Sequence, residues 1–236
     1  PYCEIILQGS TFHSEFSYLP RKFKIAVSGA ERDRAAVKVH DIGLYLVKND
    51  AGEIGFEVIV GGGLGRTPYI GPTIRPFLEK QHLLSYLEAI LRVYNRYGRR
   101  DNIYKARIKI LVNDLGAEEF ARQVEEEWAH IKDGVMKLED KDIERMKAYF
   151  TAPEYDADAA SDTGFEEAVA TNKAFANWAK RNLFPHKVEG YKAVVVSLKA
   201  PDTPPGDATA DQMDLIADLA EQYSYGEIVV THDQNL

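Results

Sequence analysis

Three cations, Arg21, Lys22 and Lys24, fall within four residues, with Pro20 pinning the chain before them and Ile25-Ala26-Val27 following. That order predicts a loop entering a strand. On extended backbone alternate side chains share a face, so Lys22 and Lys24 point one way and Phe23 turns toward the core. Two neighbouring ammonium groups repel each other unless an anion lies between them. The segment therefore reads in one of two ways. It is a solvated strand edge, which surface lysines and arginines ordinarily make, or it grips a small oxyanion or a ligand rich in carboxylates. A second basic run, Lys105-Ala106-Arg107-Ile108-Lys109-Ile110, lies in mid-chain. Its alternation alone suggests a strand, whereas Leu111, Leu115 and Phe120 continue the apolar pattern in helical style.

The chain that carries these cations has 236 residues, room for one large domain or two small ones. Its 45% apolar and 28% charged residues are those of a globular protein. A formal net charge of -8 argues against a general nucleic-acid binder and makes local basic clusters more informative. Cys3 is the one cysteine, which excludes an internal disulfide framework and a cysteine-only metal site within these residues. No apolar run reaches membrane-spanning length and no signal-peptide pattern opens the chain, so a cytoplasmic setting is expected. The start at Pro1 and the stop at Leu236 look like cuts through a longer protein.

The elements that must position the cations are legible as patterns. Strands are expected at Phe23–Ser28, Ala36–Val39, Gly43–Val47 and Phe56–Val60, with His40-Asp41 between the second and third. Asn49-Asp50-Ala51-Gly52 predicts a hairpin turn. Gly61-Gly62-Gly63 removes every side chain from a bend, which serves either close backbone approach to a planar ligand or another chain, or a plain turn. It is not a dinucleotide fingerprint, because the spacing and the following helix are missing. A helix is predicted over His82–Tyr97, with Leu83, Leu87, Ile90, Tyr94 and Tyr97 as its core stripe and the tyrosines as packing residues rather than redox relays. Arg96, Arg99 and Arg100 complement its C-terminal dipole. Glu118–His130 reads as an acidic amphipathic helix, with Glu125-Glu126-Glu127 as a solvated face. Further helices are expected at Glu139–Phe150 and Phe165–Asn182, flanking an exposed linker at Thr151–Thr163. Near the end come a buried strand at Lys192–Leu198, a helix opened by a Thr209…Gln212 capping box with Met213, Ile216, Ala217, Ala220 and Tyr223 on its apolar face, and a strand at Glu227–Thr231. Such a strand–helix–strand unit is half of a ferredoxin-like α+β module.

Leu19–Lys24 together with Val60-Gly61-Gly62-Gly63-Leu64-Gly65 resembles the siroheme-containing nitrite and sulfite reductases, a family that includes the hemoprotein beta-component of assimilatory sulfite reductase. Pro185–Tyr191, Gly206–Thr209 and Thr231–Leu236 are similar to that family's second ferredoxin-like half domain. The likeness covers most of the chain except an acidic insertion near Pro153–Asp162. It implies an α+β fold. Residues 1–150 would be the C-terminal part of the first siroheme domain, 151–184 a linker and helix, and 185–236 a truncated second half domain. The family has a helix across the mid-chain basic run, which would put Lys105 and Lys109 on one face.

The resemblance also implies chemistry. Six-electron reduction of sulfite to sulfide, or nitrite to ammonia, needs a cofactor to store electrons, and the family uses siroheme coupled to a 4Fe-4S cluster. Lys22 and Lys24 match the paired active-site lysines, for anion binding and proton delivery. Arg21 matches a siroheme-carboxylate contact, Arg107 a basic residue directed at siroheme and Lys109 its neighbour, and Gln234 and Asn235 fall in a terminal motif implied to contact ligand. The family's four cluster cysteines are absent from these residues, so the segment alone is expected to be inactive. Overall similarity favours sulfite over nitrite, and the electron donor would be a flavoprotein or ferredoxin. The rival readings are a non-catalytic ferredoxin-like module that binds an anion or protein through the basic loop, and an RNA-binding sheet. The acidic charge and the lack of an aromatic RNA-binding strand motif count against the latter.

Overall fold

The computed structural model describes residues 1–156 and 163–236. They divide into two compact units, Pro1–Thr151 and Ala152–Leu236. The architecture is α+β.

In the first unit, α1 (Tyr2–Ser10) and α2 (Ser14–Ser17) lead into β1 (Ile25–Ser28), β2 (Ile42–Lys48), β3 (Ile54–Val60) and β4 (Thr73–Glu79). The strands lie in that order in one sheet, β1 parallel to β2 and the other neighbours antiparallel. The expected hairpin joins β2 to β3, and the Asn49 side chain closes it by accepting the Glu53 N–H at 2.8 Å. Strand alternation sorts β3: Phe56, Val58 and Val60 enter the main core, while Ile59 joins Ala26 and Val37 in a smaller cluster. The sequence patterns gave no warning of β4. It carries Pro76 and is an edge strand, where a missing donor is tolerated.

Helices α3 (Leu83–Tyr97), α4 (Ile108–Leu115), α5 (Ala117–Ile131) and α6 (Asp140–Lys147) complete this unit. The expected stripe of α3 is buried at Leu83, Leu87, Ile90 and Tyr94, but burial continues around the helix through Tyr86, Ala89 and Leu91. Tyr97, expected to extend the stripe, is 52% exposed. Phe120, Val124 and Trp128 of α5 join the same core.

Two expectations fail here for identifiable reasons. Ala36–Val39 is not a strand. Ala36 takes a left-handed conformation and Val37–Val39 is a 3-10 turn, held by the Asp33 carboxylate, which accepts the N–H groups of Ala35 at 3.1 Å and Val37 at 3.0 Å. Nor is Glu125-Glu126-Glu127 a solvated face. Glu125 accepts from Tyr86 and Arg75, both at 2.8 Å, and Glu127 accepts from Arg92 at 2.8 Å, leaving only Glu126 exposed. Arg75 also stacks over Trp128. The acids neutralise arginines that a neighbouring strand and helix bring to α5.

The second unit contains α7 (Thr163–Thr171), α8 (Lys173–Asn182), β5 (Leu183–Pro185), β6 (Lys192–Val194) and α9 (Ala210–Tyr223). The single helix expected over Phe165–Asn182 is broken at Asn172, whose side chain accepts the N–H groups of Ala174 and Phe175 at 3.0 Å. Only Lys192–Val194 of the expected buried strand pairs as a strand, with β5, and all three residues are exposed. The strand expected at Glu227–Thr231 does not form; among the described residues no strand pairs with it, and Val229 and Val230 stand 72% and 75% exposed. A β-propensity run becomes a buried strand only where a partner and a covering layer exist. The Thr209–Gln212 capping box forms as expected. Tyr155, His186, Tyr191 and Tyr225 make an aromatic cluster. Of the expected linker, residues 157–162 lie outside the described residues.

Candidate functional site

The basic hexapeptide is a loop, and β1 begins only at Ile25. Lys22 and Lys24 are exposed, while Arg21 and Phe23 are half-buried. Phe23 fixes this alternation by packing on Tyr94 of α3, ring centroids 5.6 Å apart. The approach to the loop is held by the end of the same helix and by the segment just after it. Asn95 donates to the Glu15 carbonyl at 2.8 Å and Arg100 to the Tyr18 carbonyl at 3.0 Å.

Arg107 is the N-cap of α4, not an interior helical residue. The Tyr94 hydroxyl donates to the carbonyl of the preceding Ala106 at 2.6 Å, so Tyr94 braces both basic segments. Burial, with the Asp41 charge adding to it, pushes the Tyr94 hydroxyl up to about 12. Lys105 closes a separate turn, Ile103–Lys105, and is exposed, whereas Lys109 is buried. The expected shared face of Lys105 and Lys109 is therefore wrong: the helix starts between them.

Sequence reasoning passed over Asp41, noting it only as a residue between two strands. Its carboxylate is fully buried and takes the Arg107 guanidinium, Nε at 3.1 Å and Nη2 at 2.8 Å, on Oδ1. Its Oδ2 accepts the Lys24 backbone N–H at 3.0 Å. Its carbonyl accepts the Gly61 N–H at 3.0 Å. One acid thus joins the basic loop, the glycine turn and the start of α4. The available signal was a lone acid directly before the apolar run of β2, where an unpaired carboxylate could not be buried.

The glycine turn packs on its own chain. A Cβ on Gly62 would lie 2.3 Å from the Lys38 carbonyl oxygen, and one on Gly63 would lie 3.1 Å from both Nη atoms of Arg107. Close approach is the reason for these glycines, and the partner is this protein's own backbone and cations. Lys109 donates to the carbonyls of Leu64, at 3.3 Å, and of Thr67, and lies over the Tyr69 ring. Burial, then the nearby Arg107, depresses its pKa, while Asp41 opposes the shift. Lys109 thereby ties down the loop that follows the glycines.

Gln234 and Asn235 belong to the second unit. Gln234 has φ 59°, Asn235 forms a bridge to Ser197, and Oδ1 of Asn235 is enclosed with no partner among the described residues. No group of three or more His, Cys, Asp or Glu able to hold a metal occurs among the described residues, and Cys3 is exposed. No described helix is long and apolar enough to cross a membrane.

A mixed sheet backed by helices, with a glycine turn and two basic segments meeting at one end, is the class of site this fold defines. Residues 1–132 match the nitrite and sulphite reductase 4Fe-4S domain, and residues 187–236 match the nitrite/sulfite reductase ferredoxin-like half domain. The chain belongs to the nitrite and sulfite reductase family. It is 39% identical over 115 residues to a sulfite reductase [ferredoxin] of Synechococcus elongatus, covering 46% of this chain and 18% of that protein. It is 27% identical over 245 residues to the chloroplastic ferredoxin–nitrite reductase of Arabidopsis thaliana, covering 100% of this chain and 35% of that protein. Among solved structures, the NirA protein of Mycobacterium tuberculosis matches with a TM-score of 0.50 and 27% identity, over 54% of this chain and 24% of that one. The chain spans 18% and 35% of the length of these two curated relatives.

Proposed function

We propose that these residues are part of an assimilatory sulfite or nitrite reductase, with sulfite the favoured substrate, and that they supply one wall of its siroheme and substrate site. The observation that carries this reading is the junction at Asp41, where the exposed-lysine loop, the glycine turn and Arg107 meet in a unit of this family. Siroheme, when bound, supplies the iron that takes electrons to the substrate.

The donor set suits that group. Siroheme is rich in carboxylates, and Arg107 and Arg21 offer planar, permanently charged forks that match them. Arg107 keeps Nη1 free of hydrogen-bond partners among the described residues. Lys22 and Lys24 are exposed, so their ammonium groups can reach a small oxyanion, lower the cost of holding it and donate protons to its oxygens. Gln234 and Asn235 are proposed as further polar contacts. The residues do not suit the 4Fe-4S cluster: a single exposed cysteine cannot ligate four irons. Cluster thiolates would come from other parts of the parent enzyme, and the 236 residues alone would be inactive. The parent would be cytoplasmic and would take electrons from a ferredoxin or flavoprotein.

The parent enzyme is expected to show a siroheme absorption spectrum. Replacing both Lys22 and Lys24 by Ala is expected to leave that spectrum in place while kcat/KM for sulfite falls on the order of a hundredfold. A colourless parent, or unchanged kinetics in the double variant, refutes the assignment.

A further inference from the structure

We propose that Asp41 is the positioning residue of this site: its buried carboxylate fixes the Arg107 guanidinium with one oxygen and the Lys24 backbone with the other. The inference rests on the reading of Arg107 and Lys24 given above.

The geometry divides the carboxylate cleanly. Oδ1 receives both Nε and Nη2 of Arg107, which sets the plane and rotation of the guanidinium and leaves Nη1 as the donor without a partner among the described residues. Gly63 keeps that donor's surroundings open, since a Cβ there would press on both Nη atoms at 3.1 Å. Oδ2 receives the Lys24 N–H, and the next residue, Ile42, donates its own N–H to the Lys24 carbonyl at 3.1 Å. Both backbone groups of Lys24 are thus committed to the Asp41–Ile42 dipeptide. Lys24 and Arg107 are remote in sequence, yet each is held by the same side chain. A buried ion pair is a poor device for stability alone, because apolar residues of equal volume often do as well. What such a pair does well is hold a charged group in one orientation, which a cation meant for an anionic ligand requires.

Substitution can separate the two oxygens. In Asp41→Asn the side chain keeps its size but has one acceptor and one donor. If its oxygen faces Arg107, its amide N–H confronts the Lys24 N–H; if it is flipped, it confronts the guanidinium. Either way one of the two anchors is lost. Arg107→Lys keeps the charge opposite Asp41 but replaces the fork with a point charge that cannot be set in a plane.

Two measurements test this. In the 236-residue chain, hydrogen exchange at the Arg107 Nε–H, followed by 15N NMR, is expected to be slow in the native protein. It should accelerate at least about tenfold in Asp41→Asn. In the siroheme-loaded parent enzyme, Asp41→Asn and Arg107→Lys are both expected to lower siroheme content per chain and to raise the KM for sulfite about tenfold, with a smaller change in kcat. Unchanged Arg107 exchange in Asp41→Asn overturns the proposal. So does an Arg107→Lys enzyme with native siroheme content and KM, because the fork would then not matter. Should Asp41→Asn fail to fold, Arg107→Lys decides. A native parent without siroheme sinks the proposed function instead, and the exchange measurement still judges whether Asp41 holds Arg107.

Discussion

The two units treat the same kind of sequence in opposite ways. In Pro1–Thr151, runs such as Gly55-Phe56-Glu57-Val58 become paired strands whose apolar side chains are sealed under α3 and α5. In Ala152–Leu236, Ile228-Val229-Val230 and the apolar side of α9 stay largely exposed, with Met213 and Tyr223 more than half open and Ala220 the buried residue of that helix. Local propensity is alike in the two regions. The presence of a second layer is what differs. The hydrophobic contribution follows area removed from water, not composition.

Truncation should expose that contrast most strongly. Phe56 is fully buried and meets Tyr2 edge-on at 4.9 Å. Phe56→Ala is expected to destabilise the first unit by about 3–5 kcal/mol. Val230→Ala in the second unit is expected to change stability by no more than about 0.5 kcal/mol. Each unit has one tryptophan, Trp128 and Trp178, so urea unfolding followed by fluorescence reports the first unit in a Trp178→Phe background and the second unit in a Trp128→Phe background. A cost near zero at Phe56, or one above about 2 kcal/mol at Val230, would erase the distinction.

Two tyrosines sharpen the comparison by reaching the same pKa through different causes. Tyr94, in the first unit, is pushed up to about 12 chiefly by burial. Tyr225, in the second, is pushed up to about 12 chiefly by the Tyr191 hydroxyl, 2.8 Å away. The sign for Tyr94 follows from its folded pKa lying above its unfolded value of 10.0. Below pH ~10 both states keep the proton and the contribution is complete. As the pH rises toward about 12 the unfolded chain ionises first, so the first unit loses roughly 2–3 kcal/mol. Tyr86 is also raised by burial, so the effect is read as the difference between the native chain and Tyr94→Phe. At neutral pH Tyr94→Phe should cost about 1 kcal/mol for the lost bond to the Ala106 carbonyl. The variant's stability should then fall less steeply between pH 10 and 12. Parallel alkaline slopes for the two proteins would deny that burial sets this tyrosine.

How much was legible follows the same division. The hairpin at Asn49–Gly52, helix α3 and the Thr209 capping box were legible because each is decided by its own few residues. The start of α4 at Ile108 and the break at Asn172 depend on single capping positions inside otherwise helical patterns. The strand expected at Glu227–Thr231 failed because pairing is a tertiary fact that no short window contains. At the site, the cations were visible as a cluster in sequence, whereas the acid that organises them was not. Asp41 is one residue among 37 acids, and only the fold brings Lys24 and Arg107 to it.

The site's own cations divide as the units do, into held and free. Arg107 and Lys109 are committed to Asp41 and to the carbonyls of Leu64 and Thr67. Lys22 and Lys24 are exposed, and among the described residues neither ammonium has an ion-pair partner. Exposed charges without partners contribute little to folding. Lys22→Ala and Lys24→Ala are therefore expected to move the first unit's stability by no more than about 0.5 kcal/mol each, the smallest effect considered. Removing one of two neighbouring like charges relieves repulsion, so the sign can even be favourable. The measurement is the same urea titration read through Trp128. A loss above about 1 kcal/mol at either position would mean that the lysine supports the loop. The reading of that lysine as a cation free of structural work would then be gone.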